Sequence, residues 1–64
     1  MISLFNNLIN GNLDDAKKQA RKHTKLGITR YMEEMGYSSD KATKAAEYLK
    51  NPSNETYQIY CDAD

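Results

Sequence analysis

The sequence has little of what usually supports a very small fold. Its 64 residues contain one cysteine, one proline, three glycines and no tryptophan. A lone cysteine excludes an internal disulfide, and one cysteine with one histidine are too few to hold a structural zinc ion. A chain of this length buries only about 60% of the surface that it exposes when unfolded. Its stability must therefore come from efficient helix packing, from self-association or from a partner.

Long apolar runs are also absent. The stretch Ile2–Ile9 is apolar, but it is much shorter than the roughly 18 residues of a membrane span and lacks the positive charges that open a secretory signal. We therefore expect no membrane association, and the lone thiol predicts a cytoplasmic location. Because glycine and proline are scarce, the composition indicates one small helical domain over residues 1–64.

Capping residues and apolar spacing divide the chain into four segments. The first is a short apolar helix that ends at Asn10, where a following glycine can enter the left-handed cap. The second runs over residues 13–35 from an Asn12 cap, with acids in its first turn and apolar residues every three or four positions. If continuous, this helix is about 34 Å long. Gly27 lies on its apolar stripe and is the place where we expect any break.

Two shorter helices follow. Ser38 is the expected cap of the third helix, which closes before Pro52 because the residue before a proline avoids the helical region. Its buried stripe holds three alanines and Leu49, so it should approach its neighbours closely. Residues 53–62 also alternate like a strand, but a strand would have no partner here, so we expect a helix capped by Ser53. The prediction is an all-α domain of three to four helices, with a long central helix and shorter helices packed on it.

Charge is unevenly distributed although the formal net charge is zero. Five cations and no acid stand between Lys17 and Lys25, whereas residues 31–64 hold seven acids and three lysines. On one continuous helix, four of the cations form a strip beside the apolar stripe: Lys18, Arg21, Lys22 and Lys25. Such a strip can face an acidic protein surface or a phosphate backbone. It is also typical of a solvated helix face that pairs with Asp14 and Asp15.

The stretch Ile28–Leu49 resembles a helix-turn-helix, with a turn at Gly36 and a second helix that carries Lys41 and Lys44. That arrangement would direct the start of the second helix toward a major groove. However, Met32 stands four residues before the turn glycine, where such motifs need a small residue. The near-neutral pI also differs from the basic footprint of a nucleic-acid-binding domain. Nucleic-acid binding is therefore the weaker alternative.

A second resemblance covers nearly the same residues. The sequence Met35-Gly36-Tyr37, followed by Ala42, Ala45 and Leu49, is similar to the ubiquitin-associated domain family. Members of that family are three-helix modules in which a Met-Gly-aromatic loop binds a hydrophobic patch of ubiquitin, so the resemblance implies that residues 35–37 form a contact loop. It covers about half of the chain and leaves the basic residues unexplained. A glycine turn between apolar residues is also what any helix hairpin needs, and we do not assign the chain to the family.

No catalytic or cofactor site is recognisable in the sequence. His23 lies in the basic run without a neighbouring acid to orient it, so we expect a solvated or packing role. Cys61 would act as a nucleophile only beside that histidine, and a structural thiol is the simpler expectation. Adjacent acids such as Glu33 and Glu34 point about 100° apart on a helix, so they form neither a metal site nor an acid/base pair. We expect no enzyme activity, no metal and no cofactor.

Five tyrosines supply most of the large side chains. Tyrosine suits interfaces because its ring is apolar and its tip is polar. Tyr48 falls about 100° off the alanine stripe, so we expect it to be exposed. Tyr31 and Tyr57 fit the core best, and either Tyr37 or Tyr60 is the second candidate for a surface.

The predicted function is non-catalytic binding of another protein, as a small regulator, inhibitor or assembly factor of the kind that phages and mobile elements carry. The predicted partner-binding residues are the basic strip and two tyrosines: Lys18, Arg21, Lys22, Lys25, Tyr37 and Tyr48. Two alternatives stay open. One is nucleic-acid binding through the helix-turn-helix-like segment, and the other is self-association into a dimer or a larger structural oligomer.

Overall fold

The computed structural model describes residues 2–63, and the side chains of residues 4–63, as five packed helices. They are α1 (Ile2–Ile9), α2 (Leu13–Ala20), α3 (Lys25–Glu34), α4 (Ser39–Lys50) and α5 (Asn54–Asp62). No strand occurs in this part of the chain, so the all-α prediction is confirmed and the last segment is a helix. The predicted number of helices is too small because the long second helix is in fact two.

The predicted helix over residues 13–35 is interrupted at residues 21–24 and not at Gly27. Thr24 has an extended backbone and caps α3, and its hydroxyl oxygen accepts a hydrogen bond from the Gly27 amide at 3.0 Å. A threonine in this position favours a new helix start because its side chain replaces a backbone acceptor. Gly27 therefore lies within the first turn of α3, and the break precedes it.

A lysine from another helix stabilises the end of α2. The Lys50 ammonium donates hydrogen bonds to the carbonyl oxygens of Ala20 and His23, at 3.3 and 2.8 Å. Carbonyl groups at a helix C-terminus lack partners within the helix, and a cation there also interacts favourably with the negative end of the helix dipole. The corner between α2 and α3 thus depends on a residue that is distant in sequence.

The helix at the centre of the fold is α4, which packs against α2, α3 and α5. The prediction of a long central helix over residues 13–35 is wrong. The predicted alanine stripe of α4 is confirmed, since Ala42, Ala45 and Ala46 are fully buried and Leu49 nearly so. Because alanine side chains are small, three neighbouring helices can approach α4 closely.

The other four helices complete the core, and its largest fully buried side chains belong to α1 and α3. Leu4, Ile28 and Met32 are the largest fully buried side chains among the described residues. Met32 thus occupies a core position opposite α4, in keeping with close packing between α3 and α4. The Phe5 amide of α1 donates to the Tyr31 hydroxyl of α3 at 3.3 Å. This contact joins the N-terminal helix to the centre of the fold.

The helix caps follow the sequence closely except at one residue. The Ser38 side chain accepts from the Lys41 amide at 3.1 Å, and Ser53 forms a capping box with Thr56. Asn12 was expected to cap α2, but its side chain makes no cap hydrogen bond. Its amide group instead donates to the Asn7 side chain at 3.4 Å. The predicted serine caps are confirmed. Asn12 stands at the N-cap position of α2 as predicted, but the cap hydrogen bond from its side chain is absent.

Candidate functional site

Four tyrosines from the α3–α4 turn, α4 and α5 form a continuous cluster: Tyr37, Tyr48, Tyr57 and Tyr60. The Tyr48 ring stacks on the Tyr60 ring with centroids 6.2 Å apart and planes 8° from parallel. The Tyr37 and Tyr60 hydroxyl oxygens are 2.6 Å apart. Aromatic pairs at these separations stabilise a fold beyond the area they bury. We call these four residues the tyrosine cluster.

Lys41 of α4 ties the tyrosine cluster to the end of α5. Its ammonium donates to the Ala63 carbonyl oxygen at 3.2 Å and lies 4.8 Å from the centroid of the Tyr60 ring. It is also 5.6 Å from the Tyr37 ring centroid. The positive charge of Lys41 therefore interacts favourably with the negative end of the α5 dipole and with the faces of two rings. Lys41 has a structural role at this site.

The acidity of two tyrosines reflects this packing. Burial, and secondly the hydrogen bond with Tyr37, raises the pKa of Tyr60 far above its ordinary value. On the exposed side of α5, a hydrogen bond with the Cys61 side chain is the main cause that raises the pKa of Tyr57. Both phenols are neutral at physiological pH, so they offer a ligand hydroxyl groups and no negative charge.

A groove of about 380 Å³ lies between α5 and the elbow that joins α1 to α2. Its floor includes Tyr37 and Tyr60 of the tyrosine cluster. One wall is formed by Ile9 and Leu13 around the elbow, and the other by Tyr57 and Cys61 of α5. The Ile9 side chain is 53% exposed and that of Tyr57 is 40% exposed. We call this recess the tyrosine groove.

A second recess of about 290 Å³ adjoins the tyrosine groove, since Leu13 and Tyr57 line both. It continues along α2 past Lys17 and across the α4–α5 turn at Pro52. The Lys17 ammonium lies 5.7 Å from the centroid of the Tyr48 ring and 3.9 Å from an Asp14 carboxylate oxygen. The two recesses together present a mixed polar and aromatic surface, with Lys41 in the lining of the first and Lys17 in that of the second.

The four predicted basic residues do not lie on one helix. Lys18 belongs to α2, Arg21 and Lys22 to the turn that follows it, and Lys25 is the first residue of α3. The continuous strip predicted on a single helical wheel is therefore wrong. All four residues are exposed and crowd around the α2–α3 turn. We call them the basic corner.

The two predicted surface tyrosines lie in the tyrosine cluster and are not freely exposed. Tyr48 is only 4% exposed, so its predicted exposure is wrong. The helical wheel of α4 allowed for contact on one side only. In the structure α5 covers a second side of α4, and the ring centroids of Tyr57 and Tyr48 are 5.2 Å apart. Tyr37 is half-buried. Conversely, Tyr57 was assigned to the core and is exposed in the groove wall.

The groove residues Ile9, Leu13 and Tyr57 are the functional candidates that sequence reasoning missed. Ile9 and Leu13 both read as core positions of amphipathic helices. The elbow between α1 and α2 leaves Ile9 exposed because the chain turns there at Gly11, whose φ is +82°. A positive φ of this kind favours glycine. The glycine signalled the turn, but it did not show which side chain the turn would expose.

The turn that resembles the ubiquitin-associated contact loop presents mainly one side chain. Met35 is 37% exposed and Gly36 has a φ of +115°. The Tyr37 ring, in contrast, packs edge-on against Phe5 with centroids 5.2 Å apart and its hydroxyl contacts Tyr60. The aromatic residue of this turn is therefore part of the tyrosine cluster.

The residues considered for catalysis lie apart. Lys50 binds the His23 carbonyl near the C-terminal end of α4, while Cys61 lines the groove together with Lys41. Lys41 and Lys50 are about 13 Å apart along α4 at 1.5 Å per residue. The two candidate catalytic residues, His23 and Cys61, are therefore near opposite ends of that helix. Within residues 2–63, no three His, Cys, Asp or Glu side chains converge as they would around a metal ion. Cys61 is a free, exposed thiol.

No helix in the described part of the chain is both long enough and apolar enough to cross a membrane. Comparison of the chain with known protein families, curated proteins and solved structures finds no match.

Proposed function

We propose that the protein is a non-catalytic binding module, a small regulator, inhibitor or assembly factor that acts by occupying a surface of another protein. The observation that carries this proposal is the tyrosine groove. Its lining is partly apolar and partly polar, its floor is fixed by the ring contacts of the tyrosine cluster, and its two walls expose Ile9 and Tyr57.

A rigid floor with exposed apolar walls suits binding of a protein. Tyrosine anchors give large contact area for little loss of side-chain entropy, and they are enriched among residues that dominate binding energy. The hydrogen bond between Tyr37 and Tyr60 and the Lys41 contacts hold the floor in one arrangement. A ligand entering the groove would therefore order few side chains on this protein.

The basic corner supports a role in steering the partner. Lys17 stands at the edge of the recess beside the groove, and Arg21 follows it by four residues with a helical backbone. Residues four apart lie on the same face of a helix, so positive charge continues from the recess toward the corner. Charged residues at the rim of an interface mainly raise the association rate.

The two tyrosines predicted to bind a partner have different roles in this proposal. Tyr37 forms part of the groove floor, and Tyr48 positions Tyr57 and Tyr60.

The helix-turn-helix alternative receives less support from the geometry. A recognition helix must be open to the DNA on one side, whereas α4 packs on three other helices. Lys41, which the motif would direct toward phosphates, donates a hydrogen bond to the Ala63 carbonyl oxygen.

Self-association is a separate alternative, in which a second copy of the chain covers the tyrosine groove. Light scattering over a range of concentrations distinguishes it, because a dimer that uses the groove would dissociate on charge insertion there.

The test is a capture experiment with two matched variants. Ile9→Lys places a charge in the groove wall, and Ile59→Lys places the same charge on the opposite flank of α5, where Ile59 is 42% exposed. Circular dichroism should show equal helicity. Quantitative mass spectrometry of proteins captured from the native host's lysate should show partners that Ile9→Lys loses and Ile59→Lys keeps. If every captured protein is retained by Ile9→Lys, the groove is not the binding surface.

A further inference from the structure

Leu26, the most exposed large apolar side chain of the described residues, lies next to the basic corner in the chain. Leu26, the second residue of α3, is 61% exposed and contributes little to the core. It directly follows Lys25, and Arg30 lies one helical turn further along the same face. Lys22 precedes it by four residues, across the cap of α3. An exposed apolar side chain thus has cationic residues on both sides of it along the chain.

The fold neutralises only part of this positive charge. The sequence carries nine acids, but the only ion pair that the described residues form at the corner joins Lys25 to Glu47, at 3.9 Å. Lys18, Arg21 and Lys22 form none within residues 2–63, although all are exposed. The Lys50 ammonium adds a further positive charge next to His23. The first turn of α3 contains no acid, so the positive end of its dipole is also uncompensated.

We propose that the basic corner binds an acidic segment of a partner protein, which places one apolar side chain against Leu26. Cations alone would suit any polyanion, but a phosphate backbone has no apolar group to bury against an exposed leucine. The acids Glu33 and Glu34 at the other end of α3 would moreover repel an extended nucleic acid that continued along the helix. The inference rests on the proposed function in one respect, namely that the ligand is a protein segment.

The probe is a short synthetic peptide of aspartate and glutamate residues around one central leucine, labelled with a fluorophore. A second peptide of equal charge has glycine in place of the leucine. At low salt both peptides should bind, and the leucine peptide should bind about tenfold more tightly because it buries apolar surface. Both affinities should fall toward physiological salt as the charges are screened.

Two pairs of matched variants locate the site. Lys22→Glu should weaken binding of both peptides about tenfold, whereas Lys44→Glu, the same charge change on α4, should have a much smaller effect. Leu26→Ser should abolish the advantage of the leucine peptide over the glycine peptide. Met35→Ser, at the opposite end of α3, should leave that advantage unchanged. If Lys22→Glu lowers helicity, Lys22→Gln is measured in its place.

Several outcomes would overturn the proposal. Equal effects of Lys22→Glu and Lys44→Glu would show that only net charge matters, and an unchanged peptide ratio in Leu26→Ser would remove the apolar contact. Tighter binding of oligothymidylate or of phosphatidylglycerol vesicles than of the leucine peptide would assign the corner to a different polyanion. No peptide binding at low salt would also reject it. Ile9→Lys should bind the peptides normally, so failure of the corner and failure of the tyrosine groove are separate results.

Discussion

The tyrosine cluster and the basic corner both depend on α4, yet they use cationic side chains in different ways. At the tyrosine cluster, Lys41 is turned inward, where it holds the last carbonyl group described for α5 and contacts two rings. At the basic corner, Lys18, Arg21 and Lys22 point to solvent and make no ion pair within residues 2–63. The role of a lysine in this fold therefore depends on which helix end lies within its reach.

The largest difference should be in stability. Tyr60→Ala removes a ring that is 8% exposed and touches three other tyrosines, and it should lower the free energy of unfolding by about 3 kcal/mol. Leu26→Ala at the basic corner should change it by no more than about 0.5 kcal/mol. Urea denaturation followed by circular dichroism measures both. Similar losses in the two variants would mean that the corner is as much a part of the core as the cluster.

Alkaline pH should weaken the cluster selectively. The folded state raises the pKa of Tyr60 through burial and the Tyr37 hydrogen bond, so above the ordinary tyrosine pKa of about 10 the unfolded chain loses this proton first. The stabilising contribution is therefore complete below pH 10 and decreases as the pH rises further.

The measurement is the urea midpoint from neutral pH to pH 11 in the natural sequence and in Tyr60→Phe. Lysines titrate in the same range, but both proteins share them. Tyr60→Phe should show the shallower decrease above pH 10. Parallel curves would indicate that another group causes the alkaline loss.

Two lysines at the α2–α3 turn, one of them distant in sequence, should differ in their effect on stability. Lys50→Met removes the hydrogen bonds to Ala20 and His23 and should cost about 1 kcal/mol. Lys22→Met, an exposed change in the same corner, should cost less than about 0.5 kcal/mol. Thermal unfolding of the two variants under one condition provides the comparison. An equal cost would show that Lys50 is not needed to end α2.

The smallest effect should come from the exposed ion pair at the corner. Lys25 and Glu47 are 3.9 Å apart and both side chains are about half exposed. A double-mutant cycle with Lys25→Ala and Glu47→Ala should give a coupling below about 0.5 kcal/mol. The coupling should disappear at high salt. A larger value that survives high salt would mean that Glu47 neutralises the corner more strongly than the geometry indicates.

The local features of the fold could be predicted from the sequence. The helical C-terminal segment, the serine caps at Ser38 and Ser53, and the alanine stripe of α4 are all confirmed. Each depends on interactions between residues a few positions apart, or on one apolar face. The candidate site was less predictable. The basic residues of the corner were identified, but the walls of the tyrosine groove were not.

The failures have two different causes. A helical wheel for α4 showed the stripe but gave no sign of a second contact face, so Tyr48 was expected outside although α5, which is a separate helix, covers it. The periodicity of residues 13–35 ran through Thr24 because apolar spacing takes no account of a cap, although that cap is a local interaction with the Gly27 amide. Only a packed structure shows that Lys50 reaches the end of α2.

The uneven distribution of charge is visible in the sequence. The all-α class and most of the helix ends also follow from it, because short-range capping and periodicity control them. Which helix is central, which tyrosines are buried and which lysines are held by a carbonyl group depend on the tertiary structure. Those properties depend on how five short helices divide a small apolar surface among them. Close packing around three alanines of α4 settles that division. The alanines can be recognised in the sequence, but the arrangement of the other helices around them cannot.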